Sequence, residues 1–327
     1  MHMHTTGDMH TTDNMHTTDD MRTEALAAEL EGLLGPGRVL RGEPMSDHTT
    51  FQIGGPAELF VSPRTEDEVA GCIRVAQEAN VEWRVLGCGS NVLVSDAGLG
   101  GLCVHLGGDF SRIDVDAQSS TLTAQAGATN KEIAEAALGA GLTGYEFASG
   151  IPGSVGGAAY MNAGAYDGEF KDVCVSVRCL TLDGEVVEVG GDEAEWRYRH
   201  SMMMDAGWVV LSAKLQLAPF DREAIRARIE ELTERRESRQ PLDVGSAGST
   251  FKRPPGYYAG PLIQDAGMQG HRVGGAMVSE KHAGFVVNMG GATASDVRAV
   301  IEDVQNAVFG DAGVMLECEV RMWGFGD

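Results

Sequence analysis

The 327-residue sequence predicts an α+β fold built from two units behind a short tail. Three observations carry that expectation. Thr65-Glu66-Asp67-Glu68 and Thr129-Asn130-Lys131-Glu132 each place a threonine three residues before a glutamate, the pattern in which side chain and backbone cap each other at a helix start. Short apolar or alternating runs between and after them read as strands. Pro219, followed by a long charged helical stretch, marks a boundary near residue 218.

Residues 3–20 repeat a six-residue unit, Met3-His4-Thr5-Thr6-Gly7-Asp8 and two variants of it, with no hydrophobic periodicity. A disordered tail over 1–22 is expected. Its evenly spaced histidines suit either weak metal capture or no function at all. Folded sequence should begin near Thr23. The first capping box opens a helix to about Ala79, and Val81–Leu86 reads as a strand running into Gly87-Cys88-Gly89-Ser90-Asn91. The second opens a helix to about Gly139. Val173–Leu182, Val186–Val189 and Trp208–Leu217 read as strands. Asp221–Arg239 is helical, with Ile225, Ile229 and Leu232 on one face. Asp296–Val308 is a second amphipathic helix, and Val314–Trp323 a closing strand. The units expected are 23–217 and 218–327.

Composition is globular, with 43% hydrophobic and 22% charged residues. Glycine, 44 of 327 residues, is abundant enough to imply many tight turns or close approaches to a ligand. The net charge is −23; the first 22 residues hold four Asp and one Arg, leaving −20 on the body. Such a surface repels nucleic acid and anionic membranes, and neither is an expected partner. The six cysteines form no C-x-x-C pair and no zinc spacing, so no metal site is expected and a reducing compartment is. The uncharged stretch 147–166 is rich in Gly, Ser and Pro, which is loop chemistry and not a membrane span.

Several segments carry candidate chemistry. Gly87–Asn91 follows a strand as a phosphate-binding turn does, yet Val92 stands where a dinucleotide fingerprint has its third glycine. It fits either a ligand loop or a plain tight turn. Gly150-Ile151-Pro152-Gly153-Ser154-Val155-Gly156-Gly157, followed by Asn162-Ala163-Gly164-Ala165-Tyr166, is a second uncharged glycine cluster. Two such loops in one unit suit a large, flat, phosphate-bearing cofactor, with packing still open as the reason for Gly156 and Gly157. Arg199, in Tyr198-Arg199-His200-Ser201, suits a bidentate carboxylate clamp or a surface ion pair. Arg235 and Arg239 stand near a helix C-terminus, favourable for the macrodipole as well as for a diphosphate. Ser249, in Gly248-Ser249-Thr250-Phe251-Lys252-Arg253-Pro254, becomes a useful proton donor only beside a strong base such as a developing enolate. Glu317 and Glu319 share one face of the closing strand, and periodicity does not choose between water and a site. His282 precedes an apolar strand that ends at Asn288.

These pieces, in this order from about His48 to Trp323, resemble the UDP-N-acetylmuramate dehydrogenase (UDP-N-acetylenolpyruvoylglucosamine reductase) family. The segments that carry the resemblance are Thr49–Ala57, Leu86–Leu93, Ser149–Tyr166, Tyr198–Ser201, Ala247–Pro254, Gly274–Asn288 and Leu316–Arg321. The resemblance implies an FAD-binding domain of the vanillyl-alcohol oxidase-like (PCMH) type, followed by a smaller α+β substrate-binding domain. It implies FAD held by Gly87, Cys88, Gly89, Ser90, Asn91 and Val92 on the first loop and by Gly150, Ile151, Pro152, Gly153, Ser154, Gly156, Gly157 and Gly164 on the second. NADPH is the implied reductant, UDP-N-acetylglucosamine enolpyruvate the small-molecule substrate, the cytoplasm the compartment and peptidoglycan synthesis the purpose; no obligate protein partner is implied. Ser249 matches the proton donor, Arg199 the arginine that steadies carboxylate and enolate charge, and Glu319 the glutamate beside it. Arg235, Arg239, Lys252, Arg253 and His282 fall where the family contacts the nucleotide diphosphate or sugar. Cys88 replaces a common glycine. The short stretch between Tyr198 and Ser249 matches the subtype without a tyrosine-bearing insertion, so another element must cover the site.

Overall fold

The computed structural model describes residues 10–166 and 168–326, with side chains from Met21 onward. The chain opens on α1 (His10–Leu34), then β1 (Val39–Pro44), β2 (Pro56–Val61), α2 (Glu66–Glu78), β3 (Trp83–Leu86), β4 (Val92–Val94) and β5 (Leu99–His105). Four of these strands form a sheet in the order β1-β2-β5-β3, parallel except for the β1–β2 pair. Leu26, Ala27, Leu30 and Leu34 of α1 recur at helical spacing and are buried with Val69, Cys72, Ile73 and Ala76 of α2 in one core. Of the tail expected over 1–22, residues 1–9 lie outside the described residues, while residues 10–22 form the first half of α1 rather than a disordered segment. Once its C-terminal half is fixed by packing, a helix extends one residue at a time without a second nucleation cost.

A second sheet is wholly antiparallel. It holds β6 (Ile113–Asp116), β7 (Thr121–Gln125) and the strands Val209–Gln216, Cys174–Leu180 and Val186–Gly190, in that spatial order. Between β7 and the later strands come α3 (Asn130–Ala140) and the short α4 (Val155–Met161), which lies on Val209–Gln216. The expected capping box at Thr129 is complete: its hydroxyl accepts from the N–H of Glu132, whose carboxylate accepts from the N–H of Thr129. At Thr65 only half of it forms, because the Glu68 carboxylate accepts from Arg38 and from the N–H of Arg64 instead.

After α5 (Met202–Ala206), α6 (Arg222–Arg239) packs Ile225 and Leu232 inward; Ile229 lies against the first unit's core and the helix touches α3. The boundary expected near 218 therefore precedes a helix that stays with the first unit. The second core begins beyond it, where α7 (Ala259–Asp265), α8 (Ala294–Ala312) and a small antiparallel sheet enclose Val297, Val300, Ile301, Val304 and Val308. Phe51, Ile53 and Leu93 of the first unit join that core. The closing strand is shorter than expected: only Arg321–Trp323 is a strand, pairing parallel with β4. Upstream of it Cys318 bridges to Phe251. The segment thus changes partner midway, so no single ladder runs along it.

Candidate active site

The two glycine loops and the second unit enclose a cavity of about 1270 Å³. The first loop joins β3 to β4. Gly89 has φ +59°, and a Cβ there would lie 2.1 Å from the carbonyl oxygen of His48, so this turn admits no side chain. Ser90 Oγ donates to the carbonyl of Pro152 at 2.9 Å, which ties the first loop to the second. The second loop is anchored on α3: Asn130 N–H donates to the carbonyl of Gly153, its side-chain amide donates to that of Ile151, and its Oδ1 accepts from the buried Tyr145 hydroxyl. Packing explains Gly156, where a Cβ would lie 2.8 Å from Ala126; Gly157 faces the cavity with nothing closer than Ser154 Oγ at 3.9 Å. Burial raises the pKa of the Cys88 thiol above its usual value, so it stands on the wall as a neutral group. Of the fourteen residues expected to hold FAD, all but Gly150 line the cavity.

The three residues expected to be catalytic line it too. Arg199 sits at the tip of a turn closed by mutual Arg197–His200 backbone bonds, with φ +55°. A non-glycine residue in that region is held there at a cost of about 1–3 kcal/mol, which the surrounding contacts offset. Its Nε donates to Glu319 Oε1 at 2.9 Å and its Nη2 to the carbonyl of Gly164 at 3.0 Å, while the guanidinium lies 4.9 Å from the centre of the Tyr198 ring. Only 20% of the Arg199 side chain and 13% of the Glu319 side chain is exposed. Burial raises the pKa of the Glu319 carboxyl, and Arg199 partly offsets this. Ser249 is exposed on the cavity wall between Gly248, at φ +72°, and the fully buried Thr250. Thr250 is fixed three ways: its N–H donates to Gly284, its hydroxyl accepts from Val286 and its carbonyl accepts from the N–H of Glu319. That last bond places Ser249 one residue away from the backbone partner of Glu319. The other side of Glu319 is fixed by the first glycine loop, since Asn91 Nδ2 donates to the Glu319 carbonyl at 3.1 Å and the Asn91 carbonyl accepts from Arg321.

The residues expected to bind the nucleotide lie elsewhere. Arg235, Arg239, Lys252, Arg253 and His282 do not line the cavity. Arg235 lies 5.1 Å over the Tyr166 ring and pairs with Glu231; Arg239 is exposed in the last turn of α6. Lys252 pairs with Glu317, and Arg253 stacks at 3.9 Å on Tyr258. His282 accepts from the N–H of Gly284, and burial lowers the pKa of its ring. The cavity's cations are Arg84, Arg199, Arg236 and Arg321, against Asp243 and Glu319 as its anions. A surplus of two positive charges in a chain of net charge −23 marks a site built for anions. Arg236 was legible in principle: it stands four residues after Leu232, so it continues the apolar face of α6.

Size, glycine walls and excess arginine fit a large anionic cofactor of the dinucleotide kind. The model of an FAD binding domain matches residues 57–190, and that of the UDP-N-acetylenolpyruvoylglucosamine reductase C-terminal domain matches residues 240–323. Fold and site together are those of a two-domain FAD-binding oxidoreductase. UDP-N-acetylenolpyruvoylglucosamine reductase of Clostridium perfringens is 47% identical over 282 residues, 86% of this chain and 91% of that one. The enzyme of the same name from Agathobacter rectalis is 49% identical over 296 residues, 88% and 94% of the two chains. The crystal structure of the reductase from Thermus caldophilus, 35% identical, matches 88% of this chain and 99% of its own with a TM-score of 0.75. The chain belongs to the UDP-N-acetylenolpyruvoylglucosamine reductase family.

Proposed function

We propose that this chain reduces UDP-N-acetylglucosamine enolpyruvate to UDP-N-acetylmuramate with NADPH as reductant and FAD as carrier, supplying peptidoglycan synthesis. The observation that carries the reading is the convergence of Ser249, Arg199 and Glu319 on the cavity that both glycine loops line. FAD held by the two glycine loops would supply the hydride for the vinyl carbon. The protein's own task is then charge and one proton. Arg199, pre-set by Gly164 and Glu319, meets the substrate carboxylate and the negative charge that grows beside it. As that carboxylate replaces Glu319 as the arginine's counter-ion, the influence that offsets burial weakens and the Glu319 pKa rises further. Ser249 donates its hydroxyl proton to the carbon next to the carboxylate and regains one from its surroundings. Hydride and proton together saturate the double bond.

The decisive experiment follows the flavin spectrum. NADPH should bleach it, and the enolpyruvyl nucleotide should restore it with formation of UDP-N-acetylmuramate. NADPH loss without that product would sink the reading. We place the protein in the cytoplasm, a choice supported by six free cysteines; among the described residues no helix is long and apolar enough to cross a membrane.

A further inference from the structure

Arg236 Nε is the one buried side-chain nitrogen or oxygen without a hydrogen-bond partner among the described residues. A buried charged donor left unpaired is costly, and native structures leave one only where something else completes it. Here the surroundings prevent it from relaxing. Arg236 lies on the inward face of α6; the aromatic ring of Tyr166 is 6.0 Å from its guanidinium, and Tyr166 is itself fixed by donating its hydroxyl proton to the carbonyl of Leu232 at 3.1 Å. On the other side is Gly150, where a Cβ would come within 3.0 Å of Nε and 3.1 Å of Cδ. Arg236 also lines the large cavity. Burial lowers the pKa of its guanidinium, and the neighbouring Tyr166 hydroxyl, which accepts a hydrogen bond from it, only partly offsets this.

We propose that Arg236 is a cofactor-binding residue whose Nε–H receives an anionic oxygen or nitrogen of FAD, reaching across from α6 to complete the second glycine loop. This rests on FAD being the cofactor. It also explains Gly150, which lies off the cavity wall: its missing side chain leaves room for the arginine. FAD offers two groups of the required chemistry, the pyrophosphate and the ring edge that carries negative charge once the flavin is reduced. Arg236 is oriented by Tyr166 and Gly150 toward either one, with no substrate required.

The test uses the full-length chain, stripped of flavin, with FAD affinity read by fluorescence and the midpoint potential measured on the reloaded protein. Arg236→Met should weaken FAD at least tenfold, and Arg236→Lys, which keeps the charge but loses Nε, should lie between. If the pyrophosphate is the partner, oxidised and reduced FAD weaken alike, the midpoint stays put and riboflavin binding is unaffected. If the ring edge is the partner, the reduced form weakens more, and a tenfold difference lowers the midpoint by about 30 mV. Either pattern supports the proposal. Should Arg236→Met fail to fold, Gly150→Ala carries the test: it crowds Nε from outside the cavity wall and should weaken FAD at least threefold. Wild-type protein that takes up FAD while these variants match it in affinity and midpoint within twofold would overturn the proposal alone. Wild-type protein that takes up none would overturn the FAD reading with it.

Discussion

Glu317 and Glu319 stand two residues apart, and each pairs with a cation, yet the two pairs have opposite characters. Glu319 and Arg199 are largely withdrawn from water, bonded at 2.9 Å and held on both flanks by backbone bonds to Thr250 and Asn91. Glu317 is 71% exposed and meets Lys252 at the surface. Identical residue types thus divide by environment. In the buried pair desolvation sharpens every charge, so removing one partner strands the other at a cost of about 3–5 kcal/mol. In the exposed pair water and salt screen the attraction, which is worth about 0–1 kcal/mol. The buried pair has the energetics of a site, and the exposed pair those of a surface.

The largest effects should therefore cluster around the buried pair. Ser249→Ala should leave bleaching of the flavin by NADPH unchanged and slow its recovery by the enolpyruvyl nucleotide by about 10²–10⁴-fold, the span typical of a lost proton donor. Stopped-flow measurement of the two half-reactions checks this, and equal slowing of both would refute the role. Glu319→Gln should slow the same half-reaction about 10²-fold. It should also change a pH profile. Burial raises the Glu319 pKa, so the wild-type second half-reaction should decline as pH rises through that elevated value, a limb the glutamine variant lacks. A limb that persists in Glu319→Gln would assign the titration to another group.

A smaller effect separates the site from the scaffold beneath it. His105, at the end of β5, is half-buried beside His48 and Phe60, with its ring centroid 5.5 Å from each. Burial first, and the neighbouring His48 second, depress its pKa from 6.5 to about 4. The folded state therefore resists a proton that the unfolded chain accepts. Stability is full above pH 6.5 and falls as pH drops towards 4, by up to about 3 kcal/mol from this residue. Thermal unfolding followed from pH 7 to pH 4.5 should show a shallower decline for His105→Gln than for the wild type. Parallel curves would clear His105.

The contrast also shows what was legible in the sequence. The helix starts at Thr65 and Thr129 were, because each threonine hydroxyl accepts from the N–H three residues on by local chemistry that folding does not alter, whereas the cap at Thr293 went unread and α8 begins two residues before the expected Asp296. The glycine loops, Ser249, Arg199 and Glu319 were legible by pattern and order. What depends on facing directions was not. Arg235 and Arg239 are four residues apart on the exposed side of α6, while Arg236 between them turns inward; a run of basic residues names the cluster without naming the member that lines the cavity. The expected strand over Val314–Trp323 failed for a similar reason: Leu316 and Val320 alternate as in a strand, but the segment serves Phe251 first and β4 later.

The smallest expected effect tests the comparison most directly. Lys252 follows Ser249 by three residues and carries charge, so it invites a role in holding substrate phosphate. In the structure it is turned toward Glu317 and away from the cavity wall. If the exposed pair is a surface feature, Glu317→Gln and Lys252→Gln should each change stability by no more than about 1 kcal/mol, and the double variant should show a coupling of a few tenths. Turnover and KM for the enolpyruvyl nucleotide should remain within twofold, and the pH limb attributed to Glu319 should shift only slightly upward in Lys252→Gln, because the lysine charge is the smallest of the influences that lower that pKa. A KM raised tenfold in Lys252→Gln, with turnover and flavin affinity intact, would mean that the lysine exchanges Glu317 for the nucleotide's phosphates on binding. The exposed pair would then be a latch that substrate opens, and the line between site and surface would have to be redrawn to include it.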